Sequence, residues 1–338
     1  MKIFHILIII LGVLLLGFLI YSLGPLLIWR ELMLLGWGIV PLILLEGCSR
    51  LFHTQALRHC LSGSHRALPF KRVFGVLMAG GSINYLTPTA GLGGEVTKGL
   101  LLASDRSGSQ AASAVILDKL FYSLAQLILI TCGSCIFLTK IVMPRAWWLA
   151  LISVTVAIGL GIIGFFLVQR YGKLGSIIRW AVRHRLGGAA LQKTACSMTE
   201  VDKELQCFHH SRPVDLLLSI SWHLAGFLWG IIPTFYFLVL TTDSPSLSMA
   251  VLLVILGNWF DLAAFVIPVD IGVQEATRVL AFRIVGFSSA LGLTYGITHR
   301  LQQLFWAGMG LLFYSILAST RTRGLQRSSC SAPKERFL

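Results

Sequence analysis

Long uncharged stretches recur along this 338-residue chain, and they constrain its fold more than any other feature. A helix needs roughly 20 residues to cross a hydrocarbon core of about 30 Å. Residues 3–21, 147–168 and 216–240 meet that length, and 32–45 is a shorter apolar stretch. Charged residues make up only 12% of the chain, against about 25% in an ordinary soluble protein. The sequence therefore predicts an all-α polytopic membrane protein.

The first apolar stretch, 3–21, follows Lys2, which is also typical of a secretory signal peptide. No small-x-small cleavage site follows Leu19 before Pro25 and Trp29. We therefore interpret this stretch as a retained anchor rather than a cleaved leader.

Positive charges predict the orientation, because cytoplasmic loops carry an excess of lysine and arginine. The net charge is +14, and most basic residues lie at Lys2, in 50–72, in 170–213 and in 320–338. The turns near residues 30, 140–145 and 243 carry few. The first set, including both termini, is expected in the cytoplasm.

Two further apolar regions, 70–103 and 248–284, are interrupted by proline and glycine. A single crossing by either region would place a basic segment outside, so each must enter and return. We predict about six full spans plus two re-entrant or paired-helix hairpins, with misassigned spans as the alternative. The whole forms one transmembrane domain over 1–319, followed by a basic cytoplasmic tail, 320–338.

The loop 170–213 is predicted to carry an interfacial amphipathic helix, because Leu174, Ile177, Ile178 and Ala181 recur at helical spacing. Its basic face is expected to rest on anionic headgroups rather than bind one lipid specifically. Asp243, His53, His59 and His65 read as solvated loop residues. His223 and His299 read as ordinary hydrogen-bonded histidines rather than coupling sites.

The interrupted regions are copies of one pattern, offset by 180 positions. The pattern P-x6-E-x-T-[K/R]-x-L begins at Pro88 and again at Pro268, and an apolar helix with another cation follows each copy, Lys119 and then Arg300. Repeat elements therefore span about 70–138 and 248–319. Since three spans separate the copies, the repeat is predicted to be inverted, a design that recurs in secondary transporters.

Each break exposes backbone N–H groups at the start of a new helix, near Gly94 in the first copy. Such an end favours an anion such as phosphate. Irregular backbone at this depth is tolerated only when buried in protein or lining a wet cavity. A nucleotide P-loop is excluded, because 91–98 does not satisfy G-x4-G-K-[S/T].

Ionisable residues within membrane segments are costly and need an explanation. One is mutual neutralisation, since Glu95 with Lys98 and Glu275 with Arg278 are i,i+3 neighbours. The other, which we favour, is a cavity whose cations contact an anionic headgroup and whose carboxylates bind a proton or counter-ion. The candidate translocation residues are Asn84, Pro88, Gly91, Gly93, Gly94, Glu95, Thr97, Lys98, Asp118, Lys119, Asp261, Pro268, Gly272, Glu275, Thr277, Arg278 and Arg300.

With Pro88, Gly93, Gly94 and Glu95, then Pro268, Gly272 and Glu275, the sequence resembles the flippase-like family that shares the transmembrane region of lysylphosphatidylglycerol synthases. The resemblance implies a bacterial or archaeal inner-membrane protein that moves, or helps to move, a lipid between leaflets. Only some twenty residues follow residue 319, so the aminoacyl-transferase domain of the best-known members is not expected here. Similar stand-alone members imply a hopanoid or other isoprenoid-derived cargo.

Three functions remain open: a lipid flippase or transporter, a membrane-embedded subunit of a lipid-modifying enzyme, and a scaffold for lipid-synthesis enzymes. The enzyme reading is weaker, because the longest loop is far below the roughly 100 to 150 residues of a domain. We expect a membrane lipid as cargo, with no cofactor, metal or nucleic acid.

Overall fold

The computed structural model describes residues 21, 25–87, 92–103, 108–140, 145–171, 173, 175–176, 189–264 and 273–330. Regular structure in these ranges is entirely helical. The helices are α1 Pro25–Leu35, α2 Ile39–Cys60, α3 Phe70–Leu86, α4 Leu92–Ala103, α5 Gly108–Lys140, α6 Arg145–Arg170, α7 Ala189–Ser211, α8 Pro213–Trp229, α9 Ile231–Thr241, α10 Leu247–Ala264, α11 Val273–Val285 and α12 Ser289–Cys330, with short 3₁₀ turns at Gly36–Gly38 and Gly63–Ala67.

The prediction of an all-α membrane protein is confirmed. Four helical segments among the described residues are long and apolar enough to cross a bilayer: Met33–Cys60, Gly108–Ser134, Pro213–Thr241 and Ser289–Ser319. The predicted span 147–168 is one helix, α6. The predicted anchor 3–21 lies outside the described residues, apart from residue 21.

The second span is longer than predicted, because α2 continues past residue 45 to Cys60. Glu46, Arg50 and His53 therefore lie within a membrane helix rather than in a cytoplasmic segment. The sequence analysis ended the span at residue 45 because these residues are polar. In the structure they line an internal cavity, so they do not contact lipid.

The first interrupted region forms a helical hairpin, α3 followed by α4. The backbone N–H of Gly94 donates to Oδ1 of Asn84 over 2.6 Å, and Lys98 lies against Gly80 further along. The later residue of α4, Lys98, contacts the earlier residue of α3, Gly80, so the two helices are antiparallel. A side chain at Gly94 would collide with the backbone of Gly80, which is why small residues occupy both positions.

The second interrupted region forms the corresponding pair, α10 and α11. The long helix α12 follows and packs antiparallel against α11. A Cβ at Gly292 would lie 2.7 Å from Cα of Val279, and one at Gly296 would lie 3.2 Å from Cα of Glu275. Both copies therefore have the same order, a hairpin of two short helices followed by a long helix.

The two units, helices α3 to α5 and helices α10 to α12, pack into each other. The first arm α3 packs on α12 of the second unit, where Gly310 leaves room for Met78 and Ser82. The arm α10 packs on α5 of the first unit, where Gln126 Nε2 donates to the carbonyl of Asn258 over 3.3 Å. This exchange of arms brings polar residues of both units to a shared interior.

The loop 170–213 contains a long helix, α7, that was not predicted. Its buried side chains Val201, Leu205 and Phe208 join the core of the first unit, and the Phe208 and Phe121 ring centroids lie 5.9 Å apart. The predicted apolar stripe of Leu174, Ile177, Ile178 and Ala181 lies outside the described residues. Beyond residue 319, α12 continues to Cys330, so the first part of the predicted basic tail, 320–338, is helical.

Candidate substrate cavity

A cavity of 420 Å³ lies between the two units. Seven of the predicted site residues line it, and they come from both copies: Asn84, Glu95, Lys98, Asp118, Lys119, Asp261 and Arg278. Helices α2, α8, α9 and α12 close the remaining walls. The sequence therefore identified residues that the fold brings together from positions far apart in the chain.

In the first unit, Lys98 is held between two carboxylates. Its Nζ lies 3.0 Å from Oε2 of Glu95 and 3.2 Å from Oδ2 of Asp118. The side chains of Lys98 and Asp118 are only 9% and 3% exposed. Isolated charges at this depth would be strongly unfavourable, so mutual compensation is what allows the cluster to be buried.

Lys119 also lines the cavity, one residue after Asp118. Its Nζ lies 5.3 Å from the centre of the Tyr122 ring, a cation–π distance. Asp118 and Lys119, which are adjacent on α5, thus place opposite charges in the same cavity.

In the second unit, Arg278 binds one carboxylate and keeps unused donors. Its Nη2 donates to Oδ1 and Oδ2 of Asp261 over 3.0 and 2.7 Å. Its Nε and Nη1 are buried and have no hydrogen-bond acceptor among the described residues. A buried guanidinium whose N–H groups have no acceptor among the described residues is suited to bind a carboxylate or phosphate oxygen.

Arg300 and Glu275 lie outside the cavity lining. Arg300 Nε donates to Glu275 Oε1 over 2.8 Å and Nη2 donates to Oε2 over 3.2 Å. Arg300 Nη1 also donates to the hydroxyl of Tyr85 over 3.3 Å, so the pair ties α11 and α12 to α3. We interpret it as a structural clasp between the two units.

The neutralisation alternative is half right. The i,i+3 pair of Glu95 and Lys98 forms, but Glu275 binds Arg300 and Arg278 binds Asp261. In the second copy the charges are thus compensated between helices rather than along one helix.

Other predicted site residues have local structural contacts. Thr97 donates to the carbonyl of Gly93 over 2.8 Å, and Thr277 donates to that of Gln274 over 2.8 Å. Gly94 serves the close packing in the first hairpin. Pro88, Gly91, Pro268 and Gly272 lie outside the described residues.

The interpretation of three histidines as solvated loop residues is wrong. His53 lines the cavity, His65 is fully buried with its Nε2 3.2 Å from the carbonyl of Leu102, and His59 Nδ1 lies 2.9 Å from Oδ1 of Asp215. All three belong to helix ends or interiors that the sequence analysis assigned to a loop. Asp243 is exposed in a bend, as predicted.

His53 and His223 extend the first cluster. His223 Nε2 lies 3.2 Å from Oδ1 of Asp118, and its Nδ1 lies 2.9 Å from Nδ1 of His53. His223 was expected to be an ordinary hydrogen-bonded histidine, and it does have two polar neighbours. Both of them, however, are cavity-lining ionisable groups.

Glu46 and Arg50 are cavity residues that the sequence analysis missed. Arg50 Nη2 lies 3.6 Å from Oε1 of Glu46. The Cζ atom of Arg50 lies 5.5 Å from the ring centroid of Trp306. The available signal was the i,i+4 spacing of two opposite charges directly after an apolar stretch.

One family matches the sequence over most of its length. The family described as "Lysylphosphatidylglycerol synthase TM region" matches residues 3–310. No curated protein and no solved structure matches the chain. With an all-helical membrane fold, and a match that covers far more than half of the residues, the chain belongs to the lysylphosphatidylglycerol synthase TM region family, whose members are membrane proteins connected with lipid.

Proposed function

We propose that this protein moves a membrane lipid with an anionic or polar headgroup between the two leaflets. The observation that carries the proposal is Arg278, which lines the shared cavity and whose buried Nε and Nη1 have no acceptor among the described residues. A cavity of 420 Å³ is within the range of about 300 to 1,000 Å³ that holds small polar ligands. It therefore has room for a headgroup, while the acyl chains stay in the bilayer.

The paired architecture supports a transport role. Residues of both units line one cavity, so exchanging the conformations of the units would open it first to one side and then to the other. In this proposal the protein resides in the inner membrane with both termini in the cytoplasm. An anionic phospholipid suits the cations of the cavity, and a hopanoid or other isoprenoid-derived lipid is a second cargo that the family resemblance suggests.

The alternative is a membrane-embedded subunit or scaffold for a lipid-modifying enzyme system. It is favoured by the family description, which names a synthase region. The described ranges contain no soluble catalytic domain, so in this role a partner enzyme would supply the chemistry.

The test is a leaflet-sidedness assay on purified protein in liposomes. Fluorescent phosphatidylglycerol, phosphatidylcholine and a hopanoid with a polar headgroup are placed in one leaflet, and the fraction protected from an impermeant quencher is followed over time. We expect protein-dependent movement of phosphatidylglycerol that Arg278→Gln reduces at least tenfold. Arg283→Gln, an exposed cation on the same helix, is the matched control and should transport normally.

No movement of any labelled lipid by folded protein would contradict transport and favour the scaffold. Equal loss of transport in Arg278→Gln and Arg283→Gln would contradict the role of the cavity.

A further inference from the structure

Five ionisable side chains form a continuous line along one wall of the cavity. From Glu95 the line passes to Lys98 over 3.0 Å, to Asp118 over 3.2 Å, to His223 over 3.2 Å and to His53 over 2.9 Å. These residues belong to four helices, α2, α4, α5 and α8. Because all five line the cavity, a proton that enters the cavity can be taken up by one of these side chains and passed to the next.

The ionised carboxylate of Asp118 determines which nitrogen of each histidine carries a proton. Nε2 of His223 lies 3.2 Å from Oδ1 of Asp118, although neither atom makes a hydrogen bond of good geometry with any described residue. An ionised Asp118 at this distance favours the tautomer of His223 with its proton on Nε2, and proton transfer between the two atoms needs one of the side chains to rotate into line. Nδ1 of His223 is then an acceptor, so Nδ1–H of His53 donates to it over 2.9 Å. This leaves Nε2 of His53 with a lone pair that can take up a proton.

Proton uptake at that nitrogen can pass one proton along three residues of the line, His53, His223 and Asp118. A proton adds to Nε2 of His53, the Nδ1 proton of His53 passes to Nδ1 of His223, and the Nε2 proton of His223 passes to Oδ1 of Asp118. Both histidines are again neutral, and Asp118 has become a neutral carboxylic acid. Lys98 then loses one of its two carboxylate partners, so its ammonium group can bind another anion.

The charges of the cavity wall explain why such a proton would be needed. Four cations, Arg50, Lys98, Lys119 and Arg278, face four carboxylates, Glu46, Glu95, Asp118 and Asp261. A singly charged anionic headgroup would add an uncompensated charge to this balanced wall, which is costly away from bulk water. One proton stored on the line restores the balance.

We propose that Asp118, His223 and His53 form a proton relay that takes up one proton with each anionic headgroup, so that lipid movement is coupled to a proton gradient. This inference rests on the proposed transport function and adds its energy source. The fit of His53 supports a defined position, because a Cβ at Gly226 would lie 2.8 Å from its Cε1. The rings of Tyr122 and Phe227, with centroids 5.4 Å away, enclose it further.

The other charged or ionisable groups around the relay come from each neighbouring helix. Arg50, Glu46 and Cys60 belong to α2, Glu95 and Lys98 to α4, Lys119 and Tyr122 to α5, and Asp261 to α10. Lys98 is the cation nearest to Asp118, so it is the group whose interactions change most when Asp118 gains a proton.

The experiment uses the intact protein in phosphatidylcholine liposomes with labelled phosphatidylglycerol and a pH-sensitive dye trapped inside. A gradient of one pH unit is imposed, and both the leaflet distribution and the internal pH are recorded. One proton per lipid sets a limit of about tenfold accumulation per pH unit, since both gradients then have equal free energy. We expect accumulation of at least threefold, proton flux that requires the labelled lipid, and loss of both when nigericin removes the gradient.

A membrane potential alone provides a second discriminating measurement. An anion and a proton that move together carry no net charge, so a potassium diffusion potential should leave the leaflets equally labelled. Movement of the anion alone would instead give potential-driven accumulation, which would overturn the proposal.

The variants test the relay residues directly. His223→Gln and His53→Gln should reduce accumulation in the pH gradient to onefold and make any remaining lipid movement respond to a membrane potential, because the anion then moves without its proton. His210→Gln, an exposed histidine on α7, should accumulate lipid like the unchanged protein. The wild-type flux measurements decide the question even if a relay variant fails to fold.

Lipid that equilibrates without any effect of the pH gradient would overturn the relay and leave the transport function intact. Retained accumulation in both relay variants would also overturn it. Absence of all lipid movement would overturn the transport function and the relay with it.

Discussion

A Cβ added at Gly257 would lie 2.6 Å from Nη1 of Arg278, so the guanidinium occupies the space that this glycine leaves open. Arg278 is thereby held on the wall of the cavity, with Nη2 bound to Asp261. A larger residue at 257 must displace the guanidinium or its helix.

Gly257→Ala is therefore expected to impair transport without preventing folding. A methyl group at this position displaces Nη1 and with it the guanidinium, and we expect the transport rate to fall about tenfold, equivalent to about 1.4 kcal/mol. Gly161→Ala is the control, because nothing lies within 4 Å of its added Cβ. Transport rates of the two variants at matched protein density test this, and equal rates would contradict the position assigned to Arg278.

The two arginines of the second unit should respond differently to truncation. Arg278→Ala leaves Asp261, whose side chain is 42% exposed, so protein levels should stay near normal while transport is lost. Arg300→Ala removes the cation bound to Glu275, whose side chain is only 10% exposed. Breaking a buried pair costs about 3 to 5 kcal/mol, so we expect this variant to lose stability and membrane level.

Quantitative membrane blots and detergent thermal shifts measure this difference. The double variant Glu275→Gln with Arg300→Ala should recover part of the lost level, because it removes the buried anion. Normal stability of Arg300→Ala would show that the pair is not a clasp.

Double variants around Lys98 separate headgroup binding from charge neutralisation. Lys98→Ala should abolish transport, and it leaves two carboxylates, Glu95 and Asp118, facing each other without their shared cation. Adding Glu95→Gln or Asp118→Asn should improve stability and leave transport absent, because the cation itself is missing. Sidedness assays on the double variants provide the measurement, and restored transport would argue that Lys98 serves only to neutralise its neighbours.

Some cavity residues could be predicted from the sequence, but most of their partners could not, because those partners lie far away along the chain. The pattern that recurs at a 180-residue offset identified Lys98 and Arg278, because a repeat is visible in the sequence however far apart its copies fold. Asp118 and Asp261 were identified differently, as ionisable residues within apolar segments. The partners of these residues were less accessible. Helical spacing pairs Glu275 with Arg278, but the structure pairs Glu275 with Arg300, 25 residues away.

Residues on α2 were missed for a different physical reason. Hydropathy treats a polar residue as the end of a span, yet Arg50 and His53 lie in a helix that continues to Cys60 and turns them toward the cavity. Sequence alone does not distinguish a polar residue facing water from one facing a polar interior. The role of Gly226 in seating His53 likewise depends on packing between helices far apart in the chain.

Arg212 is expected to stabilise the junction of α2 and α8. Its Nη1 donates to the carbonyl of Leu61 over 2.7 Å, its Nη2 to that of His59 over 3.1 Å, and its Nε to Oδ2 of Asp215 over 2.8 Å. It thus satisfies carbonyls at the end of α2 that have no partner within the helix. We expect Arg212→Ala to cost about 2 to 3 kcal/mol, because several charge-assisted bonds are lost.

Arg66→Ala is the matched control, since Arg66 approaches the same carboxylate at 3.6 Å but is 63% exposed. An exposed pair contributes about 0 to 1 kcal/mol, so its loss should hardly change stability. Unfolding of both variants in detergent, followed by tryptophan fluorescence, measures the difference. Similar losses would mean that the bonds to the α2 carbonyls contribute little.

If the two hairpins are inverted relative to each other, as the sequence predicts, their mouths should be labelled from opposite faces. The first hairpin is expected to open to the cytoplasm and the second to the outer face, because three spans separate them. In a cysteine-free background, Lys71→Cys and Gly108→Cys should react with an impermeant maleimide only after the reagent reaches the cytoplasm. Ser248→Cys and Ser288→Cys should react in intact cells, since all four positions are exposed and lie at helix ends. Labelling of all four from one face would make the repeat parallel, and labelling of one hairpin from both faces would show a single crossing and remove the basis for alternating access.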